Sequence, residues 1–218
     1  MPDPTVASQS DVETPEDFLP INGTDYIEFY VGNAKQAAHY YAHLFGFSIE
    51  GYLGPETGHK EKVSYLIEQN DIRFVLTTAL GPDSPISEHV TLHGDGVKDI
   101  ALWVDDAASS FEETTKRGAE PVQEPTVHEN DEGRIVTATI ATYGDTVHTF
   151  VERSGYDGFF FPGFETWENE FWEAPTSTGL QYVDHCVGNV YEGDMDKYVE
   201  YYAQTMGFYN MLHFTDQD

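Results

Sequence analysis

His185 and Cys186 stand side by side in "VDHCVGNV", with Asp184 immediately before them, and Cys186 is the chain's single cysteine. A cysteine beside a histidine invites a thiolate-and-base reading. The apolar, β-branched character of the stretch predicts a strand, in which consecutive side chains point to opposite faces. His185 then looks one way, Asp184 and Cys186 the other, and the pair is not a nucleophile with its base. One imidazole on an apolar strand is ordinarily a hydrogen-bonded structural residue. Ferrous iron in non-haem oxygenases needs two histidines and a carboxylate on one face, and no second ligand for His185 has a convincing spacing. Glu88, His89 and His93 in "SEHVTLHGDG" suggest paired ligands, but the glycine-rich context after Pro85 predicts a loop, which would not align His89 with His93. His148 in "DTVHTF" takes a strand position with no visible carboxylate partner. "GDGVKD" lacks the lysine and serine of a phosphate-binding loop and opens no helix.

The elements that would position these residues repeat. "DYIEFYV" (25–31) has the aromatic and β-branched content of a strand. Gly32 and Asn33 break it. Ala37, Ala38, Tyr41, Leu44 and Phe45 then form a helical stripe from Ala34 to Phe45, closed by Gly46. "FSIEGYLG", "EKVSYLIEQ" and "IRFVLTTAL" read as three strands, so the unit is βαβββ. A second unit opens at "VKDIALWVDD", continues through a helix from Ala107 to Arg117, and adds strands near "PVQEPTV", "RIVTATIATY" and "TVHTFVER". Each unit leaves one sheet face bare, so two must pair to bury it. Between Gly155 and Thr178 the pattern lapses into a linker, with Phe159–Phe161 expected to pack on the first domain. A third unit opens at Leu180 with the strand "LQYVDHCVGNV" and a helix carrying Met195, Tyr198, Val199, Tyr202, Ala203 and Met206, closed by Gly207. "EYYAQTMGFYNMLHF" aligns with "HYYAHLFGFSIEGYL", and Val187-Gly188-Asn189 with Val31-Gly32-Asn33. The alignment sets Phe29 opposite His185, and Asp99 falls near this position in the second unit. The sequence stops after the third unit's second strand and is expected to be cut short. The expected organisation is a flexible leader (1–20), a two-module domain (21–154), a linker (155–179) and an incomplete second domain (180–218).

Composition narrows the function. The chain has 218 residues, 39 Asp and Glu against 10 Lys and Arg, and a formal net charge of −29. Such a surface repels nucleic acid and anionic lipid, so neither is a partner. The carboxylates are dispersed, as in "FEETTKRG" and "VHENDEGR", and lysine is scarce. Such a surface resembles those of proteins from salt-loving cells, where a screening length of about 3 Å at 1 M salt removes self-repulsion; the alternative is simply an acidic protein. One cysteine and no export signal suit a reducing cytoplasm. No run approaches the length of a membrane span.

"YVGNAKQAAHYYAHLFGF", "GPETGHKEKVSYLIEQNDIRFVLTTAL", "HVTLHGDGVKDIALWVDD", "ATYGDTVHTFVERSGYDGFFFPGF" and "VDHCVGNV" resemble, in order, the 4-hydroxyphenylpyruvate dioxygenase family within the vicinal-oxygen-chelate superfamily. "HGDGVKDIA" and "YGDTVHTFVE" are long enough to be specific. The resemblance implies an α+β fold of tandem βαβββ modules (glyoxalase-like half-barrels) in two domains, of which only the second binds metal. The first would be a scaffold, with Phe29 where the metal histidine would stand, serving packing and assembly into a homo-oligomer. His185 matches the family's first Fe(II) ligand, and Val187 a position lining the substrate pocket; catalytic residues are not assigned. The implied chemistry is oxidative decarboxylation of 4-hydroxyphenylpyruvate with O2, coupled to ring hydroxylation and side-chain migration, giving homogentisate and carbon dioxide in tyrosine and phenylalanine catabolism. His185 would need an orienting partner on its other ring nitrogen, which the sequence does not identify. The family's other ligands match nothing before Asp218, so these 218 residues alone are expected to be inactive. Rival readings are 4-hydroxymandelate synthase, a non-catalytic ligand-binding module of the same superfamily, and a vestigial product.

Overall fold

The structure is a computed structural model that describes residues 17–168 and 175–211. Strand β1 (Ile21–Tyr30) leads through helix α1 (Ala34–Phe45) to β2 (Ser48–Leu53), β3 (Lys62–Gln69) and β4 (Ile72–Ala79). Helix α2 (Pro85–His93) connects to the second module, β5 (Gly96–Val104), α3 (Ala107–Lys116), β6 (Pro121–Asn130), β7 (Gly133–Ala141) and β8 (Val147–Glu152). A two-residue strand β9 (Glu165–Thr166) and helix α4 (Met195–Met206) complete the regular elements. The nine strands among the described residues form one sheet in the order β6-β7-β8-β5-β1-β4-β3-β2-β9. Each module places its last strand parallel to its first, β4 beside β1 and β8 beside β5, and the modules meet where β1 and β5 pair antiparallel. The repeat read in the sequence is therefore also a repeat in the sheet.

One face of the sheet is covered by helices. Asn33 caps α1 by accepting from the Gln36 N–H at 3.0 Å, and Gly46 ends it at φ 73°. Ala34, Ala38 and Ala42 are fully buried, small enough to let α1 lie close against Phe47, Ile49, Ile67 and Leu76. Of the expected stripe, Ala37, Ala38 and Tyr41 pack on this core, whereas Leu44 and Phe45 are exposed. Small residues carry the contact and the large ones rim it. In the second module Asp106 caps α3 through the Ser109 N–H, and Phe111 packs with Leu102, Val136, Ile140 and Phe150.

The opposite face is closed by the segment after β8. Phe160 (3% exposed) packs with Leu66 and Val75, and Phe161 with Ala101, Ile135 and Val151. Arg153 stacks on both rings and holds Asp25 through two hydrogen bonds of 2.6 and 2.7 Å. Phe160 is thus core and Phe161 packs on it, as expected of this segment, whereas Phe159 is 44% exposed.

Two expectations need correction. Residues 85–93 are a helix, because Pro85 at its first position is a start signal and Ser84 accepts from the Ser87 N–H at 3.1 Å. Leu180–Val190 is not a strand: no ladder partner lies beside it among the described residues, and an extended segment without a neighbour makes no sheet. The expected second strand of the third unit, "YNMLHF" (209–214), forms no strand over Tyr209–Met211, and its remainder lies outside the described residues. No helix among the described residues is long and apolar enough to cross a membrane.

Candidate functional site

The site residues read from the sequence sit on a segment that crosses from one module to the other. At its start, Gln69 at the end of β3 acts as a clamp. Its Oε1 accepts from Ser177 Oγ (2.8 Å), the Gly179 N–H (2.9 Å) and the Leu180 N–H (3.1 Å), while its Nε2 donates to the Phe45 carbonyl at 2.7 Å. The Asp71 N–H donates to the Gln181 carbonyl at 2.9 Å, and Asn70 Nδ2 donates to the Leu180 carbonyl. At its other end the segment enters α4, which lies against the second module. Tyr202 bonds to His148 and Thr142, Tyr201 donates to the Ala141 carbonyl, and Met206 is 3% exposed in the second module's core.

His185 lies between these holds with 72% of its side chain exposed, and its Nδ1 is 2.7 Å from Asp184 Oδ2. The carboxylate accepts, so Nδ1 carries a proton and, in the neutral ring, Nε2 is left as the acceptor. Asp184 is thus a hydrogen-bond partner of the His185 ring that the sequence did not reveal. Strand alternation had set it on the opposite face, and that argument fails where no strand forms. Val187 is 76% exposed and lines none of the larger cavities. Cys186, Gly188 and Val190 line a cavity of about 480 Å³ with Tyr143, His148 and Tyr202, among others. Desolvation pushes the Cys186 thiol upward, away from a thiolate.

The two "VGN" copies do different work. Gly32 donates its N–H to Asp95 Oδ1 at 2.7 Å and Asn33 caps the helix that follows at once. Gly188 instead packs on Tyr143, whose ring would lie 2.5 Å from an added Cβ, and α4 begins only after Asp194. Phe29, opposite His185 in the alignment, points to the helix side, 5.1 Å from the Phe74 ring and 6.1 Å from that of Tyr41. Tyr26 and Glu28 face the closed side of the sheet. There Tyr26 donates to Asp99 Oδ2 (3.3 Å), the Thr149 N–H donates to Asp99 Oδ1 (3.1 Å), and Thr77 donates to Glu28 at 2.6 Å. Burial raises the Asp99 carboxyl to about 7. On that face a cavity of about 180 Å³ lies beneath the phenylalanines.

The helical assignment of α2 brings His89 and His93 together, with ring centres 4.6 Å apart, and His93 Nε2 lies 2.7 Å from Asp145 Oδ2. Even so, among the described residues no three histidine, cysteine or carboxylate side chains are grouped to hold a metal ion. His148, read as a lone strand histidine, is a buried member of the α4 contact.

Comparison with known proteins gives this geometry its context. The family model "Hydroxyphenylpyruvate dioxygenase, HPPD, N-terminal" matches residues 16–162. The 4-hydroxyphenylpyruvate dioxygenase of Yarrowia lipolytica is 39% identical over 90% of this chain and 52% of its own length. That of Aspergillus fumigatus is 41% identical over 89% of this chain and 53% of its own. Among solved structures, a mutant 4-hydroxymandelate synthase from Streptomyces coelicolor superposes with a TM-score of 0.71 at 26% identity, over 87% of this chain and 53% of that one. The chain spans about half the length of the curated relatives it matches.

Proposed function

Because the chain belongs to the hydroxyphenylpyruvate dioxygenase family, we propose that it is the N-terminal part of an Fe(II)-dependent enzyme converting 4-hydroxyphenylpyruvate and O2 to homogentisate and carbon dioxide. The observation that carries this reading is the reach of the similarity. Identity of 39–41% extends over about 90% of the chain, past the two-module domain and into the third unit with His185. In this reading residues 21–154 are the scaffold domain and 180–211 the opening of the iron-binding one, with His185 as first iron ligand and Val187 at the substrate pocket.

The described residues do not by themselves fit an iron centre, since one imidazole is not a chelate. What this chain contributes is an imidazole whose bare Nε2 is set by Asp184. The remaining ligands come, in this reading, from residues beyond those described. The acidic surface supports work in a salt-rich cytoplasm, and assembly through the two-module domain follows the family resemblance.

The similarity to the synthase fold favours one second reading, oxygen insertion at the side chain to give 4-hydroxymandelate. Product analysis of the native protein that contains this segment, supplied with 4-hydroxyphenylpyruvate, Fe(II) and O2, separates the two. Homogentisate supports the dioxygenase, 4-hydroxymandelate the synthase, and turnover of neither the non-catalytic reading.

A further inference from the structure

The hold on α4 contains a hydrogen-bond chain in which each proton has one place. Nδ1 of His148 lies 2.8 Å from the Ile100 carbonyl oxygen, which only accepts, so Nδ1 is protonated. Nε2 is then an acceptor, and the Tyr202 hydroxyl 2.9 Å away donates to it. With its proton committed, the Tyr202 oxygen accepts from Thr142 Oγ1 at 2.8 Å. The chain therefore runs from Thr142 through Tyr202 and His148 to Ile100, satisfied at every step, and joins α4 to β5, β8 and the residue after β7. His148 is 5% exposed, its ring centre is 5.7 Å from that of Tyr202, and Tyr202 stacks on Phe208 at 5.5 Å.

A satisfied polar network beneath a helix fixes one docking register, because any slip leaves buried donors and acceptors unpaired. We propose that His148 and Tyr202 form a latch through which the two-module domain sets the position of α4 and of the run from His185 to Asp194 that leads into it. Cys186, Gly188 and Val190 line the same cavity as both latch residues, so the run from His185 borders the latch. The domain without a metal site then acts as the positioning element for the residue read as an iron ligand. That consequence rests on the proposed function; the latch does not.

Hydrogen–deuterium exchange on the 218-residue chain tests the latch by resolving α4 amides from those of β7 and β8. Tyr202→Phe is expected to speed α4 exchange about tenfold or more while β7 and β8 keep wild-type rates. Tyr202→Phe combined with His148→Gln is expected to cost less than the sum of the two single changes, since both break the His148–Tyr202 bond. Nitrogen NMR of the wild-type His148 ring is expected to show protonated Nδ1 and bare Nε2, a signature that generic packing would not impose. Wild-type α4 exchange in Tyr202→Phe, or the opposite tautomer, overturns the proposal. If His148→Gln also loosens β7 and β8, Thr142→Val reads the latch from its other end, and unchanged α4 exchange there overturns it equally. A latched protein that makes no homogentisate would sink the dioxygenase reading alone.

Discussion

Asp99 and His148 are buried titratable groups that make opposite demands on pH. Burial, opposed in part by its bonds to Thr149, holds the Asp99 carboxyl at about 7 against an ordinary 3.8. The folded state thus favours the neutral acid. That contribution is complete below pH 3.8 and is lost as pH rises through about 7. Asp99→Asn keeps an acceptor for the Thr149 N–H and cannot ionise. Urea unfolding is expected to show the variant more stable than wild type at pH 8, by roughly 1–3 kcal/mol, with the gap closing towards pH 4. A gap that stays constant across that range would contradict the assignment. His148 works the other way. Burial lowers its imidazole, so its contribution is present above the ordinary value of 6.5 and is lost as pH falls below it.

Among the elements, the strands and the helices α1 and α3 were legible because period and caps agreed. Asn33 and Gly46 bracket α1 as read. What the sequence did not show depended on contacts between distant residues. Part of the α1 stripe was misread because alanines, not the larger Leu44 and Phe45, make the close approach to the sheet. Helix α2 was hidden because Pro85 and the following glycines read as breakers, although Pro at a first helical position is a start. Leu180–Val190 has a strand's composition, but its backbone is held at the start by Gln69 rather than by a ladder. Gln69→Ala is therefore expected to free this segment. Limited proteolysis within 176–182 should accelerate, and stability should fall by about 1–2 kcal/mol. Unchanged cleavage would mean the clamp holds nothing. Gly46→Ala attacks the same junction, since φ is 73° and a Cβ would lie 2.6 Å from the Thr176 carbonyl and the Thr178 nitrogen. A loss of at least ~1 kcal/mol is expected on thermal unfolding, and a neutral substitution would contradict the close approach.

Taken whole, the molecule is two modules paired across the β1–β5 seam, with a third unit lashed over them and a net charge of −29. Self-repulsion of that size is screened only by salt. The melting temperature is expected to rise by several degrees or more between 0.1 and 2 M KCl, and a flat or falling profile would contradict the reading of the acidic surface. The family was legible in motifs such as "HGDGVKDIA" and "VDHCVGNV"; the support that the first domain gives to the third unit was not, because Gln69, His148 and Tyr202 are far apart in the chain. The most direct test of the account is homogentisate formation by the native protein containing this segment, compared with its His185→Ala variant at saturating Fe(II). The account predicts iron-dependent homogentisate from the wild type and a loss of about 100-fold or more in the variant. Equal turnover by both, or none by the wild type, would contradict it.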